Sequence, residues 1–308
     1  MGGTPSRVLP TKRLDGKTAI ITGSNTGIGK VTAKELYKLG AKVIMACRDV
    51  SRANEAIGSI KDEVKDFKDV GELIVKELNL SSFASIRKCA EDINNNENAI
   101  HLLVNNAGVM MCPKSKTEDG FETHFGVNHL GHFLFTCLLL PKLIKSAPSK
   151  IINVSSSAHE RGKMDWEDLN FEKKTYNALG AYNQSKLANV LFTGELANKL
   201  EGTGVTTFSV HPGIVKTELG RYMDDTYFRG ARLVARALFL PFMISPEEGA
   251  KTTLYCLLAD NENESGSYYS NCRLKEPSPL AKNDEDAKRL WSESVKLTNL
   301  DFDPFKLE

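Results

Sequence analysis

The chain has 308 residues, with 40 Lys and Arg against 39 Asp and Glu, 41% hydrophobic and 26% charged residues. A chain of this length buries roughly three quarters of the surface its unfolded form exposes, so it builds a core without disulfides or metals, and fibrous, disordered and disulfide-scaffold classes are excluded. A net charge of +1 and no run of five like charges leave no field for a polyanion, so nucleic acid is not expected as a partner.

At the N-terminus, Met1-Gly2-Gly3-Thr4-Pro5-Ser6 fits the pattern for N-myristoylation at Gly2, and Arg7, Lys12 and Arg13 follow as a basic cluster. The alternative is a flexible polar leader over residues 1–16. Residues 1–14 carry no apolar stretch that would make a secretory signal. The longest apolar runs, 133–141 and 237–244, are far short of the roughly 18 residues that span a bilayer, so no transmembrane segment is expected. Cys47, Cys89, Cys112, Cys137, Cys256 and Cys272 are scattered without Cys-x-x-Cys pairs, which reads as reduced thiols and no metal site.

From Lys17 the chain alternates short apolar runs with segments of helical period. Strands are expected at 18–22, 42–46, 72–78, 101–104, 151–154 and 205–210, and helices at 27–39, 51–64, 83–94, 121–144 and 182–200. Continuous rather than alternating hydrophobicity in the strands means burial on both faces. The pattern is a doubly wound α/β fold with a parallel sheet between two helical layers, in one domain over 17–308. Ligands on such a sheet lie beyond the carboxyl ends of the strands, where strand order reverses.

The first strand runs into Gly23-Ser24-Asn25-Thr26-Gly27-Ile28-Gly29, which opens a helix. Glycines there allow a tight turn and close approach of a pyrophosphate, and the helix N-terminus offers free N–H groups to it. The second strand ends in Cys47-Arg48-Asp49, where the adenosine ribose would lie. An acidic residue there would bind the 2′-hydroxyl of NAD, and an arginine the 2′-phosphate of NADP. Asp49 serves equally well as the N-cap of the next helix, so Arg48 and NADP(H) are favoured. Tyr182 and Lys186 share one helix face at i, i+4 spacing. A phenol with a pKa of about 10 is a poor base at neutral pH, but a neighbouring ammonium and an oxidised nicotinamide would lower it.

With Asn105-Asn106-Ala107-Gly108, Ile152-Asn153-Val154-Ser155-Ser156 and Pro212-Gly213, these motifs fall in one order along the chain. From Lys17 onward the chain thereby resembles the short-chain dehydrogenase/reductases. Gly126-Val127-Asn128-His129-Leu130-Gly131-His132-Phe133, 185–192 and Val210-His211-Pro212-Gly213 look like the retinol dehydrogenase branch. The resemblance implies a Rossmann-type three-layer fold with about seven parallel strands. It implies a catalytic set of Asn128, Ser156, Tyr182 and Lys186. Tyr182 would exchange a proton with the substrate oxygen, Lys186 would lower its pKa and hold the nicotinamide ribose, Ser156 would bond the reacting oxygen, and Asn128 would position a relay water. Ser155 and Ser157 flank Ser156, which is chosen by its place in the motif. Cofactor contacts would come from the glycine turn, Arg48, Asn79, Leu80, Asn106, Ala107, Gly108, Tyr182, Lys186, Pro212, Gly213 and Thr217.

Asn79-Leu80 stands where relatives commonly carry Asp-Leu near the adenine, and an amide still donates and accepts there. Residues 217–245 form the expected substrate lid, apolar and basic, with Phe228, Leu238 and Phe242 beside Arg221, Arg229, Arg232 and Arg236. Such a lid suits a lipophilic substrate. It reads either as a peripheral membrane contact or as amphipathic helices packed on the body. The two long helices at 128–144 and 182–200 carry apolar residues beyond the core stripe and suggest a homodimer. A glycan at the Asn183 sequon would abut Tyr182, which favours a cytoplasmic protein or one facing the cytosol. The function expected is NADP(H)-dependent interconversion of retinal and retinol or a similar lipophilic pair. The alternatives are an enzyme of steroid, isoprenoid or lipid-derived aldehydes, and a non-catalytic NADP(H)-binding scaffold.

Overall fold

The computed structural model describes residues 12–306. The Gly2 motif lies outside the described residues. In chain order come β1 (Thr18–Thr22), α1 (Gly27–Lys38), β2 (Lys42–Cys47), α2 (Val50–Glu63), β3 (Glu72–Glu77) and α3 (Phe83–Asn96). Then follow β4 (Leu102–Asn105), a π-helical turn over Phe125–Leu130 running into α4 (Gly131–Lys145), β5 (Ser149–Val154), α5 (Ala178–Lys199) and β6 (Val205–His211). The strands fall where continuous hydrophobicity put them, within two residues at each end. Helix α5 starts earlier than expected, because Asn177 caps it by accepting from Gly180 N at 3.0 Å.

The sheet order is β3-β2-β1-β4-β5-β6. All of these pairs are parallel. Beyond the segments read from sequence lie β7 (Ile214–Val215), α6 (Met223–Thr226), α7 (Ala231–Phe239), β8 (Met243–Ile244), α8 (Pro246–Leu258), β9 (Tyr268–Ser270), β10 (Arg273–Leu274) and α9 (Asp284–Leu297). β9 extends the sheet in parallel beside β6, which gives the seven parallel strands the family resemblance implied, and β10 adds a short antiparallel edge. β7 and β8 pair with each other, closing the base of the lid.

Strand pleating splits the core into two layers. Ile21, Val43 and Met45 join Leu36, Ile60 and Leu254 on one face, while Ile20, Ile44 and Ile151 join Ile93, Phe133 and Leu139 on the other. Phe125–Lys145 is long and apolar enough to cross a membrane, but it is mostly buried as the central helix of the second layer. Helix α9 packs against α5 and the start of α4. Trp291 meets Phe133 and Phe192 with ring centroids 5.0 and 6.0 Å apart, and Ser294 Oγ lies 2.8 Å from His129 Nε2.

Candidate active site

Strand order reverses between β1 and β4, and the carboxyl ends of these strands open onto a cleft of about 380 Å³. The turn after β1 demands glycine for two reasons. Gly23 has φ +64°, and a Cβ there would lie 2.9 Å from Ala107; a Cβ on Gly29 would lie 2.5 Å from Asn106 Nδ2. Helix α1 starts in this turn, its N-cap residue Thr26 makes no side-chain cap bond, and no acidic residue occupies its first turn. The helix therefore presents free N–H donors to the cleft. Ser24 is an exception among the expected contacts: fully buried, it donates to Ile21 O at 3.0 Å and does not line the cleft.

Thr22 joins this turn to the neighbouring strand. Its Oγ1 accepts from the N–H groups of Asn106 and Ala107, both at 2.9 Å, and lies 2.8 Å from His132 Nε2. His132 Nδ1 is 3.0 Å from Asn128 O, and a carbonyl only accepts, so Nδ1 carries the proton and Thr22 donates to Nε2. Burial pushes His132 down to about 4, which keeps it neutral. Asn106 Nδ2 donates to Thr22 O at 2.8 Å. Asn105 instead bonds Asn153 and Thr136, both at 2.8 Å, and stitches β4 to β5.

At the adenosine end, Asp49 caps α2 by accepting from Arg52 N at 3.0 Å, leaving Arg48 beside the cleft. Arg52, one turn further on, also lines it and was missed in the sequence, although its i+4 spacing from Arg48 was visible there. Asn79 lines the same end with its Nδ2 on Glu118 Oε1 at 2.9 Å and its Oδ1 accepting from Ser81 N, and Leu80 adjoins it.

At the other end the cleft is lined by Ala107, Gly108, Ser156, Tyr182, Lys186, Pro212, Gly213 and Thr217. The three consecutive serines separate by position. Ser155 Oγ donates to Lys186 O at 2.7 Å, Ser157 is exposed, and Ser156 faces Tyr182 with its Oγ accepting from Ala158 N at 3.2 Å. Lys186 Nζ donates to Val154 O at 3.0 Å and lies 5.7 Å from the Tyr182 ring centroid. Burial lowers Lys186 to about 8. Burial raises the phenol to about 12, with the Ser156 hydroxyl opposing it, because desolvation of a phenolate outweighs an ammonium directed at a carbonyl.

Asn128 does not line the cleft. It sits in the π-helical turn, fully buried, and both Nδ2 protons are used, on Val109 O and Ser185 Oγ at 3.0 Å each. Its Oδ1 accepts from Val109 N at 2.9 Å. The π turn is the local distortion that brings this amide behind Gly108 and Lys186. A second support was missed in the sequence: His124, buried and 2.7 Å from Glu122 Oε1, sets its ring edge-on to Tyr182 at 6.1 Å. A separate groove of about 390 Å³ between α5 and the start of α9 contains none of the expected catalytic or cofactor-binding residues. Among the described residues, no group of three His, Cys, Asp or Glu side chains is placed to hold a metal.

The cradle of glycines, the uncapped α1 and the two arginines fit an elongated dinucleotide whose pyrophosphate lies on the turn. The lid meets this site only at its base. Glu218, Leu219, Arg221 and Tyr222 line the cleft, whereas the apolar side chains of 227–242 do not, contrary to the expectation of a wide apolar cover.

Over residues 17–227 the chain matches the short chain dehydrogenase family model. It is 50% identical to Retinol dehydrogenase 12 of Homo sapiens over 94% of this chain and 88% of that protein. Identity to Retinol dehydrogenase 13 of Mus musculus is 48%, over 97% and 87%. Among solved structures, an uncharacterised protein from Mycobacterium paratuberculosis superposes with a TM-score of 0.76 at 34% identity, covering 97% of this chain and 98% of that one. NADPH-bound carbonyl reductase from chicken fatty liver shares the fold, with a TM-score of 0.60 at 24% identity over 84% and 97%. The chain belongs to the short-chain dehydrogenase family, in its retinol dehydrogenase branch.

Proposed function

We propose that this short-chain dehydrogenase is an NADP(H)-dependent oxidoreductase that interconverts retinal and retinol, or a closely similar lipophilic carbonyl and alcohol. The observation that carries the reading is the convergence of Ser156, Tyr182 and Lys186 at one end of a cleft whose other end presents Arg48 and Arg52. When bound, the nicotinamide supplies or accepts the hydride. The Tyr182 phenol gives its proton to the substrate oxygen in reduction and takes it back in oxidation. The Ser156 hydroxyl donates to the same oxygen and stabilises the charge that develops there. Lys186, held by Val154 O, bonds the nicotinamide ribose and supplies positive charge near the phenol. Asn128 acts behind them, fixing Val109 and Ser185.

Arg48 and Arg52 hold the 2′-phosphate, and the use of Asp49 as a helix cap supports that assignment over NAD. Asn153 and Asn183 are buried, so a glycan attached at their sequons before folding would block the core from closing, which supports a cytosol-facing enzyme. The test is cofactor consumption by purified protein with all-trans-retinal. Turnover with NADPH well above that with NADH is expected. Equal turnover with both would overturn the Arg48 assignment, and no turnover beside tight NADPH binding would move the substrate to another carbonyl class.

A further inference from the structure

Fifteen large apolar side chains are exposed among the described residues, and eight of them fall within residues 227–242. Helix α7 carries the densest part. Ala231 is buried against the body, while Leu233 is 72% and Leu238 69% exposed, and Phe242 just beyond is 68% exposed. A helix whose apolar stripe faces away from its own protein has that stripe available for another phase.

The charge of the segment says which. Residues 226–246 contain Arg229, Arg232 and Arg236 and no Asp or Glu, in a chain whose net charge is only +1. Arg232 is held by Glu218 at 3.0 Å. Arg229 and Arg236 are exposed and form no ion pair among the described residues. An outward apolar face bordered by unpaired arginines is complementary to a bilayer surface carrying anionic headgroups. It is a poor surface for self-association, because a second copy would bring the same arginines to the contact and no acidic residue of residues 226–246 to pair with them.

We infer that the outward face of residues 227–242 docks on an anionic lipid surface and holds the mouth of the cleft against it. The same segment is tied to the cleft rim, with Thr226 bonding Met111 O, Tyr227 Oη 3.2 Å from Met111 Sδ, and Leu219 and Tyr222 lining the mouth. Docking therefore brings the opening to the lipid, and a membrane-dissolved substrate enters without crossing water; this last step rests on the proposed function, the docking itself does not.

The experiment is cosedimentation of the full-length chain carrying Gly2→Ala, which removes any acyl contribution, with vesicles of phosphatidylcholine alone or mixed with phosphatidylserine. Binding to the mixed vesicles that weakens with salt is expected. Arg229→Gln with Arg236→Gln should lower it on the order of tenfold, and Leu238→Glu with Phe242→Glu on the order of a hundredfold. NADPH turnover of a short water-soluble aldehyde should be unchanged in both variants, which shows that they fold. Failure of the Gly2→Ala chain to bind, or equal binding by the variants, overturns the inference. So does a dimer in size-exclusion chromatography that Leu238→Glu with Phe242→Glu dissolves, since the face then belongs to a second copy. If the soluble aldehyde is not turned over at all, the proposed function fails while the vesicle result still stands or falls by itself.

Discussion

The cleft floor and the lid are built on opposite terms. On the floor, Thr22, Asn106, Asn128, Ser155 and Lys186 are buried or half-buried, with hydrogen bonds whose partners come from β1, β4, β5, α4 and α5. In the lid, Leu233, Leu238 and Phe242 are largely exposed, and Arg229 and Arg236 form no ion pair among the described residues. Chemistry needs groups held to a fraction of an ångström, so the floor is over-determined. A surface that meets lipid needs no such precision.

The contrast is sharpest in activity. Tyr182→Phe removes one proton donor from a fixed floor, so turnover of retinal should fall ~100- to 10,000-fold while NADPH titrates with unchanged affinity. Loss of NADPH binding would mean that the phenol is part of the scaffold instead.

Acid provides the next largest effect. Burial lowers His129 to about 3 and His132 to about 4 from an ordinary 6.5, both on the floor's supporting helix, and residues 217–245 contain no histidine. As pH falls below 6.5 the unfolded chain takes up protons that the buried rings refuse. The urea midpoint should hold steady above pH 6.5 and decline progressively toward pH 4. A midpoint insensitive to pH in that window would show that water reaches these rings.

Removing one atom from the floor should be felt widely. Thr22→Val leaves the Ala107 N–H and the His132 ring without their partner and the Asn106 N–H with Val104 O alone, a cost of about 3 kcal/mol in urea unfolding. Arg48→Ala acts on affinity alone: loss of a charged hydrogen bond should raise the KM for NADPH ~10- to 100-fold and leave NADH nearly unchanged. At the far end of the scale, Leu233→Ala should shift stability by less than about 0.5 kcal/mol. A larger shift would mean that the lid packs inward in solution.

What could be read from sequence divides along the same line. The strands and the glycine turn were legible because burial on both faces leaves continuous apolar runs, and because Gly23 and Gly29 stand where a Cβ has no room. The Tyr182 and Lys186 pair was legible from spacing, and Ser156 from its motif. The raised pKa of Tyr182 was not, since it comes from packing by residues distant in sequence, His124 among them. The π turn at Phe125–Leu130 was read as ordinary helix, as apolar periodicity does not distinguish the two. Helix α8 was passed over although Ser245 and Pro246 begin it with a plain N-terminal signal. The orientation of α7 could not be read, because an amphipathic stripe has the same sequence whether it faces a body or a bilayer.

The central claim is that this cleft moves a hydride between NADPH and a lipophilic carbonyl, with Tyr182 handling the proton. The most direct measurement uses NADPH deuterated at both C4 positions with all-trans-retinal, followed by mass spectrometry of the product. Retinol carrying one deuterium on its carbinol carbon for each cofactor oxidised is the result predicted. Cofactor oxidation without labelled retinol would contradict the account.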